Sequence, residues 1–313
     1  MPDTPRLPIG TAIEAVIDFL RLHLSVVFDA IAQFLLALAN LVYQVLAAPH
    51  PYLLIAILAA LAVLVTRRPG LPIFTVLAFL LVDGMELWRA SLQTLSAVIV
   101  AGVFAIVVGV PVGIWAARVQ ATSVIVRPIL DFMQTLPVFV YLLPAVFFFD
   151  IGVPSGIVAT SVFAIPPAVR LTELGIRQVD REVVEAARAF GSTPGQVLRE
   201  VQIPLAMPSI MAGVNQVIML ALSMVVIAGM VGGEGLGEVV VGSTQSLDIA
   251  GGFEGGIAVV ILAIYLDRLT AGVSRLTQRR GKKRQRVDQR PAAEEDAIES
   301  EKQKRPVPVG GGS

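Results

Sequence analysis

Residues 173–204 read ELGIRQVDREVVEAARAFGSTPGQVLREVQIP, a strongly polar segment between two long apolar runs. Its spacing predicts two short helices joined by a tight turn. Residues 178–190 suit a helix that ends at Gly191, because only glycine adopts a left-handed φ without steric cost. Thr193 is placed to cap the next helix, and Gln196 completes a capping box. An ordered, charged helical hairpin between apolar segments indicates a docking site for a partner protein.

The chain outside this hairpin is dominated by apolar residues. Of its 313 residues, 55% are hydrophobic and only 15% are charged, with a mean hydropathy of +0.78. A soluble domain of this size has about 25% charged residues. The composition therefore indicates an all-α polytopic membrane protein. The absence of Cys excludes disulfides and thiolate metal sites, and two histidines are too few for a His-rich metal site.

Seven apolar segments are candidate spans, and a span needs about 20 residues to cross a bilayer. They lie at about 52–66, 71–83, 92–117, 124–149, 156–171, 206–231 and 256–274. The second of them is short, so a re-entrant segment and an extension toward Leu87 are both open. The chain therefore divides into an N-terminal segment, 1–51, a transmembrane region, 52–275, and a charged tail, 276–313. The tail is low in aromatic residues and ends in Pro and Gly, a composition that predicts a disordered cytoplasmic segment.

Residues 11–47 predict a long amphipathic helix. At 100° per residue, the polar side chains fall on one continuous stripe, which consists of Glu14, Asp18, Arg21, Ser25, Asp29, Gln33, Asn40 and Gln44. A stripe of this kind favours a helix that lies in the membrane interface. A membrane span from about Leu24 to Ala48 is the alternative.

The distribution of basic residues predicts the orientation of the chain. If the N-terminal helix lies outside, only Arg6, Arg21 and Arg89 of the 24 Lys and Arg residues fall on the outer side. Cytoplasmic loops carry an excess of Lys and Arg. The polar hairpin and the C-terminus are therefore predicted to be cytoplasmic, and the N-terminus is predicted to lie outside.

The hairpin contains a recognisable spacing of residues. Glu185-Ala186-Ala187 is followed after three residues by Gly191, and after nine more by Val201-Gln202-Ile203-Pro204. This pattern resembles the EAA loop of ABC-importer permeases, in which a short coupling helix docks into a groove on the nucleotide-binding subunit. The family's usual Ile-x-Leu-Pro is replaced conservatively. The resemblance implies an ATPase-coupling role for Glu185, Ala186, Ala187, Gly191, Val201, Ile203 and Pro204.

Three other segments resemble ProW-type permeases, the membrane subunits of glycine betaine, proline betaine and choline uptake systems. They are LDFMQTLPVFVYL at 130–142, PLAMPSIMAGVNQ at 204–216 and LALSMVVIA at 220–228. The resemblance covers most of residues 11–275. It implies a type I ABC-importer transmembrane domain in a bacterial-type cytoplasmic membrane.

The same resemblance implies the partners of the chain. It implies a homodimer, two cytoplasmic ABC ATPase subunits and an extracytoplasmic substrate-binding protein, which we expect to be a separate polypeptide. ATP and Mg would belong to the ATPase subunits. We therefore expect no cofactor in this chain, no enzymatic activity of its own and no nucleic-acid partner.

The segment at 124–149 supplies candidates for the translocation path. Pro137 and Pro144 remove helical hydrogen bonds and predict a kinked helix, although a purely packing role is equally open. Asp131 is an ionisable residue near the cytoplasmic end of a span, which favours a functional role, but a structural ion pair, with Arg127 close in sequence, is equally open. A quaternary ammonium could rest on an aromatic face here. The candidates are Asp131, Met133, Gln134, Pro137, Phe139 and Tyr141.

A glycine-rich segment, GMVGGEGLG at 229–237, is predicted to form an outer loop. It lacks the Gly-Lys-Ser/Thr of a Walker A motif, so ATP binding is not expected there. Glu234 and Glu238 are candidate contacts for the binding protein, and a solvated turn is the alternative.

Four hypotheses for the function follow from these observations. The leading one is the permease of an ATP-driven importer for glycine betaine or related quaternary-ammonium solutes that serves osmoprotection. An ABC permease for another small solute, such as an amino acid, is the second. A stand-alone secondary transporter or channel is disfavoured by the hairpin and by the lack of an evident inverted repeat. A membrane enzyme is disfavoured because no catalytic set is visible within a span.

Overall fold

The computed structural model describes residues 9–275, and within that range it contains helices and turns but no strand. This confirms the predicted all-α architecture. The helices are α1 Ile9–Ala47, α2 Pro51–Thr66, α3 Gly70–Gly84, α4 Trp88–Arg118, α5 Gln120–Thr135, α6 Val138–Phe149, α7 Val153–Arg177, α8 Arg181–Ala189, α9 Pro194–Gln196, α10 Ile203–Ala228, α11 Leu236–Ser246 and α12 Ile249–Arg275. The predicted disordered tail at 276–313 lies outside the described residues.

In the described part of the chain, five or six helices could cross a membrane, and this count includes α1, which was not among the seven predicted spans. Five helical segments are long and apolar enough, and the bent pair of α5 and α6 makes a sixth if it is counted as one span. The predicted segments at 52–66 and 71–83 are α2 and α3, of 16 and 15 residues. Each is shorter than the roughly 20 residues of a full span. The helix at 11–47 is present as predicted, and its length and composition also suit a span.

Helices α4, α7 and α10 form the centre of the molecule, with α7 packed between the other two. Glycines allow their backbones to approach closely. A Cβ at Gly113 of α4 would lie 2.6 Å from the carbonyl oxygen of Val169, and a Cβ at Gly175 of α7 would lie 2.6 Å from the Cβ of Ser209. Small residues have this role in membrane helix packing, where close van der Waals contact replaces the hydrophobic drive.

Helices α2 and α3 form a short hairpin that packs against α4, α10 and α12. The hairpin turns at Arg67, which takes a left-handed φ of 52°. Phe79 of α3 makes an edge contact with the ring of Tyr265 in α12, with the centroids 5.4 Å apart. The hydroxyl of Tyr265 donates a hydrogen bond of 3.2 Å to the carbonyl of Leu58. These contacts belong to the largest apolar cluster of the described residues.

The predicted span at 124–149 is broken into α5 and α6, which meet at an angle of 102°. Leu136 is extended, with φ −66° and ψ 134°, and α6 begins directly after Pro137. A proline disfavours helical geometry in the residue before it, which explains why the helix ends here. Pro144, by contrast, lies inside α6. The sequence predicted a kink, and the structure contains a sharp elbow instead.

Candidate coupling surface and translocation path

The polar hairpin has the predicted order of helix, turn and helix. Asp180 caps α8 by accepting a hydrogen bond of 3.0 Å from the backbone of Glu182. At the other end, Gly191 takes a φ of +83°. Its N–H donates to the carbonyl of Arg188, and the N–H of Ser192 donates to the carbonyl of Ala187. This is the hydrogen-bond pattern of a Schellman motif, so the glycine at this position fixes the end of α8.

The second arm of the hairpin begins with the predicted capping box. The hydroxyl of Thr193 accepts from the backbone of Gln196, and the side chain of Gln196 accepts from the backbone of Thr193 at 2.8 Å. Pro194 occupies the first turn, where its missing N–H is not needed. A π-helical turn, Val197–Gln202, then joins α9 to α10. Because the helical segment is continuous from Pro194 to Val231, Pro204 does not interrupt it.

One face of α8 presents apolar side chains to the exterior. Phe190, which directly follows α8, is 91% exposed and Val183 is 43% exposed, although α8 is rich in charged residues. Ala186 is exposed and Ala187 is partly exposed between them. These four residues, Val183, Ala186, Ala187 and Phe190, are spaced i, i+3, i+4 and i+7, and we call them the α8 stripe. That spacing is typical of a helix that binds in a groove of a partner protein.

The opposite face of α8 lines a polar cavity of about 460 Å³ against the ends of α4 and α7. Glu185 lies on this face, together with Arg181 and Arg188, and Arg118 and Arg177 line the cavity from the other side. Glu185 therefore faces the body of the protein, whereas Ala186 lies on the α8 stripe. The EAA triplet contributes to both faces of the helix.

The residues of the return arm have mixed environments. Ile203 packs against the cluster formed by Ile176, Leu198, Ala206 and Ile210, and it anchors the hairpin to the end of α7. Val201 is half-buried, and Pro204 is exposed at the start of α10. Sequence reasoning missed Phe190 as a surface residue of the hairpin. The available signal was a large aromatic residue inside an otherwise polar segment.

The candidate path residues lie on both sides of the elbow between α5 and α6. Gln134 and Pro137 are exposed, Phe139 is 54% exposed, and Met133 is half-buried. Tyr141 is buried, and its ring makes an edge contact with Phe163 of α7, with centroids 5.7 Å apart. The structure therefore brings the candidates together at one elbow but does not expose all of them.

Asp131 has a different partner from the one that its sequence neighbours suggested. It forms an ion pair with Arg170 of α7. Arg127, which lies one turn away on the same helix, instead donates a hydrogen bond of 2.9 Å to Glu173 of α7. The alternative of a structural ion pair therefore has the right chemistry, but the partner comes from another helix.

The glycine-rich segment after α10 is a close-packed turn. A Cβ at Gly237 would lie 2.3 Å from the carbonyl oxygen of Val225, and Gly235, with φ +106°, packs against Thr94. Glu234 is exposed in this turn and accepts a hydrogen bond of 2.5 Å from Gln93 of α4. Glu238 is exposed on the first turn of α11. Both candidate carboxylates are therefore exposed, one in the glycine-rich turn and the other at the start of the helix that follows it.

The described residues offer no metal site. Between residues 9 and 275, no group of three His, Asp or Glu side chains is arranged so that it could hold a metal ion. The arrangement of the molecule is that of a polytopic membrane protein with a polar helical hairpin at one end of its central helices.

Comparison with known families identifies the class. Residues 109–280 match the family described as "Binding-protein-dependent transport system inner membrane component". The chain belongs to this family. It is therefore a membrane-embedded permease subunit of an ABC transport system, and it works with an ATPase and a binding protein that are other components of that system.

Several curated relatives are similar over most of their length. The glycine betaine transport system permease protein OpuAB of Bacillus subtilis is 48% identical over 90% of this chain and 99% of its own length. The glycine betaine/carnitine transport permease protein GbuB of Listeria monocytogenes is 47% identical over 86% and 96%. The glycine betaine/proline betaine permease protein ProW of Escherichia coli is 42% identical over 89% and 78%.

A solved structure has a similar fold. The chain matches an inward-facing conformation of the MetNI methionine ABC transporter with a TM-score of 0.55 and 25% identity. The match covers 61% of this chain and 95% of the other. The fold is therefore that of the transmembrane domain of an ABC importer.

Proposed function

We propose that this chain is the permease of an ATP-driven importer for glycine betaine or related quaternary-ammonium solutes. The observation that carries the proposal is the 48% identity to a glycine betaine permease over 99% of that relative's length. Two further relatives that carry glycine betaine in their names are similar over most of their length. In this role the chain supports the accumulation of compatible solutes.

Helix α8 couples this permease to ATP hydrolysis in the ATPase subunit. The α8 stripe docks into a groove on an ATPase subunit, with Phe190 and Val183 as the apolar anchors. Ala186 and Ala187 lie between the anchors, where small side chains allow close approach. Gly191 fixes the end of the helix, and Glu185, Val201, Ile203 and Pro204 hold the hairpin in place. The exposure of an apolar stripe at groove-binding spacing supports this assignment.

The complete transporter contains two copies of this chain, two cytoplasmic ATPase subunits and one extracytoplasmic binding protein. Solute passes between the two copies near the α5–α6 elbow, which carries Asp131, Met133, Gln134, Pro137, Phe139 and Tyr141. The binding protein docks at the turn that carries Glu234 and Glu238. The hairpin and the C-terminus are cytoplasmic, and the N-terminus is outside, as the distribution of Lys and Arg supports.

Helix α1 lies in the interface on the extracytoplasmic side of the cytoplasmic membrane. In this proposal residues 1–51 are the interfacial segment, residues 52–275 are the permease domain, and residues 276–313 are the cytoplasmic tail. Contacts of α1 support this position. Arg21 lies 3.4 Å from Asp150, and Phe28 stacks on Phe148 with centroids 4.5 Å apart. Both partners belong to the outer junction of α6 and α7 in the proposed orientation.

The test is ATP-dependent uptake of labelled glycine betaine by proteoliposomes that contain the permease, its ATPase subunit and its binding protein. We expect uptake to require ATP on the side of the membrane where the hairpin lies. We also expect it to require the binding protein on the opposite side. Uptake without the ATPase subunit would contradict the ABC mechanism. Transport of an amino acid in place of betaines would contradict only the proposed substrate and leave the ABC mechanism in place.

A further inference from the structure

Glu173 is a buried carboxylate one turn before the end of α7. Only 3% of its surface is exposed. Its Oε1 accepts hydrogen bonds from Ser123 at 2.7 Å and from Arg127 at 2.9 Å, both on α5. It also forms an ion pair with Arg177 of α7, whose Nε lies 2.9 Å away. A buried charge is tolerated only while it is paired and hydrogen-bonded. We call Ser123, Arg127, Glu173 and Arg177 the Glu173 cluster.

Arg177 extends this cluster to a third helix. Its Nη2 donates to the carbonyl of Ala116 at 2.8 Å, and its Nη1 donates to the side chain of Gln120 at 2.9 Å. Ala116 belongs to the last turns of α4, and Gln120 is the first residue of α5. The ends of α4, α5 and α7 are therefore joined through one carboxylate and one guanidinium.

Helix α5 is attached to α7 in large part by polar contacts. Its large apolar side chains are mostly exposed, including Val124, Ile125, Ile129 and Phe132, and among its residues Ser123 and Leu130 are the buried ones. A second ion pair, between Asp131 and Arg170, joins the same two helices about one turn away. Polar contacts therefore contribute much of the attachment of α5 to α7.

The two helices lead to different parts of the proposed mechanism. Helix α7 ends at Arg177, and only three residues separate it from α8. Helix α5 ends at the elbow that carries Gln134 and Pro137. We propose that Glu173 is a positioning residue that transmits movement of α8 to α5. When α8 moves, the end of α7 moves with it, and the Glu173 cluster carries α5 along. This inference rests on the proposed docking of an ATPase at α8.

The experiment uses the assembled transporter and a reporter on α5. The chain has no native Cys, so a Gln134→Cys thiol can be labelled with a maleimide without background from this subunit. Its labelling rate is measured with and without ATP, and co-purification of the ATPase subunit is measured in the same preparation. With Glu173 intact, we expect ATP to change the labelling rate by at least about fivefold, the lower end of typical coupling between sites.

Two variants break the Glu173 cluster from opposite sides. Glu173→Gln keeps the shape of the side chain but removes its charge, and Arg127→Gln removes a cation that is 57% exposed and therefore tolerant of substitution. In both variants we expect the ATPase subunit to co-purify and the effect of ATP on labelling to be lost. Arg127→Lys, which keeps the charge, restores part of the effect. Glu254→Gln is the matched control, because Glu254 is exposed on α12, and it leaves the effect unchanged.

The outcomes separate the two proposals. If the ATPase subunit binds and ATP changes labelling equally with Glu173 and with Glu173→Gln, only the role of Glu173 is overturned. The same conclusion follows if ATP never changes labelling on α5 in the bound complex. If the ATPase subunit binds equally when the two large apolar side chains of the α8 stripe are replaced, by Phe190→Ser and Val183→Ser, docking at α8 is wrong, and the inference is overturned with it.

Discussion

The hydroxyl of Tyr141 in α6 donates a hydrogen bond to the main-chain carbonyl of Met133 in α5. The bond joins the two sides of the elbow between these helices. Leu136 and Pro137 lie between the two residues and interrupt the helical ladder. A carbonyl that has lost its helical partner is thereby satisfied by a side chain, as a buried main-chain group requires.

Removal of this hydroxyl is expected to loosen the elbow. Tyr141→Phe keeps the ring and its contact with Phe163 but leaves the carbonyl of Met133 without the donor. We expect a loss of about 1 kcal/mol in the free energy of unfolding, seen as a lower unfolding temperature in detergent. Tyr52→Phe is the control, because Tyr52 is exposed. Equal unfolding temperatures for the two variants would mean that the hydroxyl does not stabilise the elbow.

Gly191→Val tests the conformation at the end of α8. A Cβ at this position meets no atom within 4 Å, so the substitution acts through its φ of +83°. For a β-branched residue this conformation costs about 1–2 kcal/mol. We expect the variant to insert normally but to hydrolyse ATP without matching uptake. Gly242→Val is the control, since Gly242 also has open space but no positive φ. Normal coupled uptake by Gly191→Val would refute the assignment of α8 as the helix that couples ATP hydrolysis to transport.

Two glycines of α4, Gly113 and Gly102, differ in how well they tolerate an added Cβ, because Gly113 lies at the close contact with α7. An Ala Cβ at Gly113 would lie 2.6 Å from the carbonyl oxygen of Val169 and 2.7 Å from the Cβ of Thr172. At Gly102 the same Cβ would lie 3.9 Å from Val217, an ordinary contact. We therefore expect Gly113→Ala to destabilise the protein by about 1–3 kcal/mol, with Gly102→Ala nearly neutral. The measurement is the unfolding temperature of each variant in detergent, and the reverse order would contradict the packing.

Asn215 joins α10 to α12. Its amide donates a hydrogen bond of 3.0 Å to Asp267, and its carbonyl oxygen accepts one of 2.5 Å from Thr270. Asn215→Leu removes both bonds and leaves the carboxylate of Asp267 without this donor. We expect a loss of about 1–3 kcal/mol in stability. Gln216→Leu, at the neighbouring exposed position, serves as the control in the same unfolding measurement. A loss as large at Gln216 would show that added apolar volume, rather than the lost bonds, is responsible.

The parts of this fold that depend on local chemistry were predictable from the sequence. Gly191, Thr193 and Gln196 determine the hairpin through a positive φ and a capping box, and each of these was predicted correctly. The signal is local because each cap involves residues within a few positions of each other.

The parts that depend on tertiary contacts were not predictable in the same way. Asp131 and Arg127 lie one turn apart on α5, which suggested a pair, but both bind residues of α7. Glu173 lies at the edge of a polar segment, and nothing in its sequence neighbourhood indicates burial against α5. Pro137 predicted a kink from the sequence. The angle between α5 and α6 was not predictable, because it depends on how α6 packs against α7.

Docking of an ATPase at the α8 stripe is the central claim, and site-specific photo-crosslinking tests it most directly. A photoreactive amino acid is placed at Ala186 in the assembled transporter, and at Glu254 as a control that lies on α12. We predict a covalent adduct with the ATPase subunit from position 186 and none from position 254. A complex that retains the ATPase subunit but forms no adduct at position 186 would contradict the account.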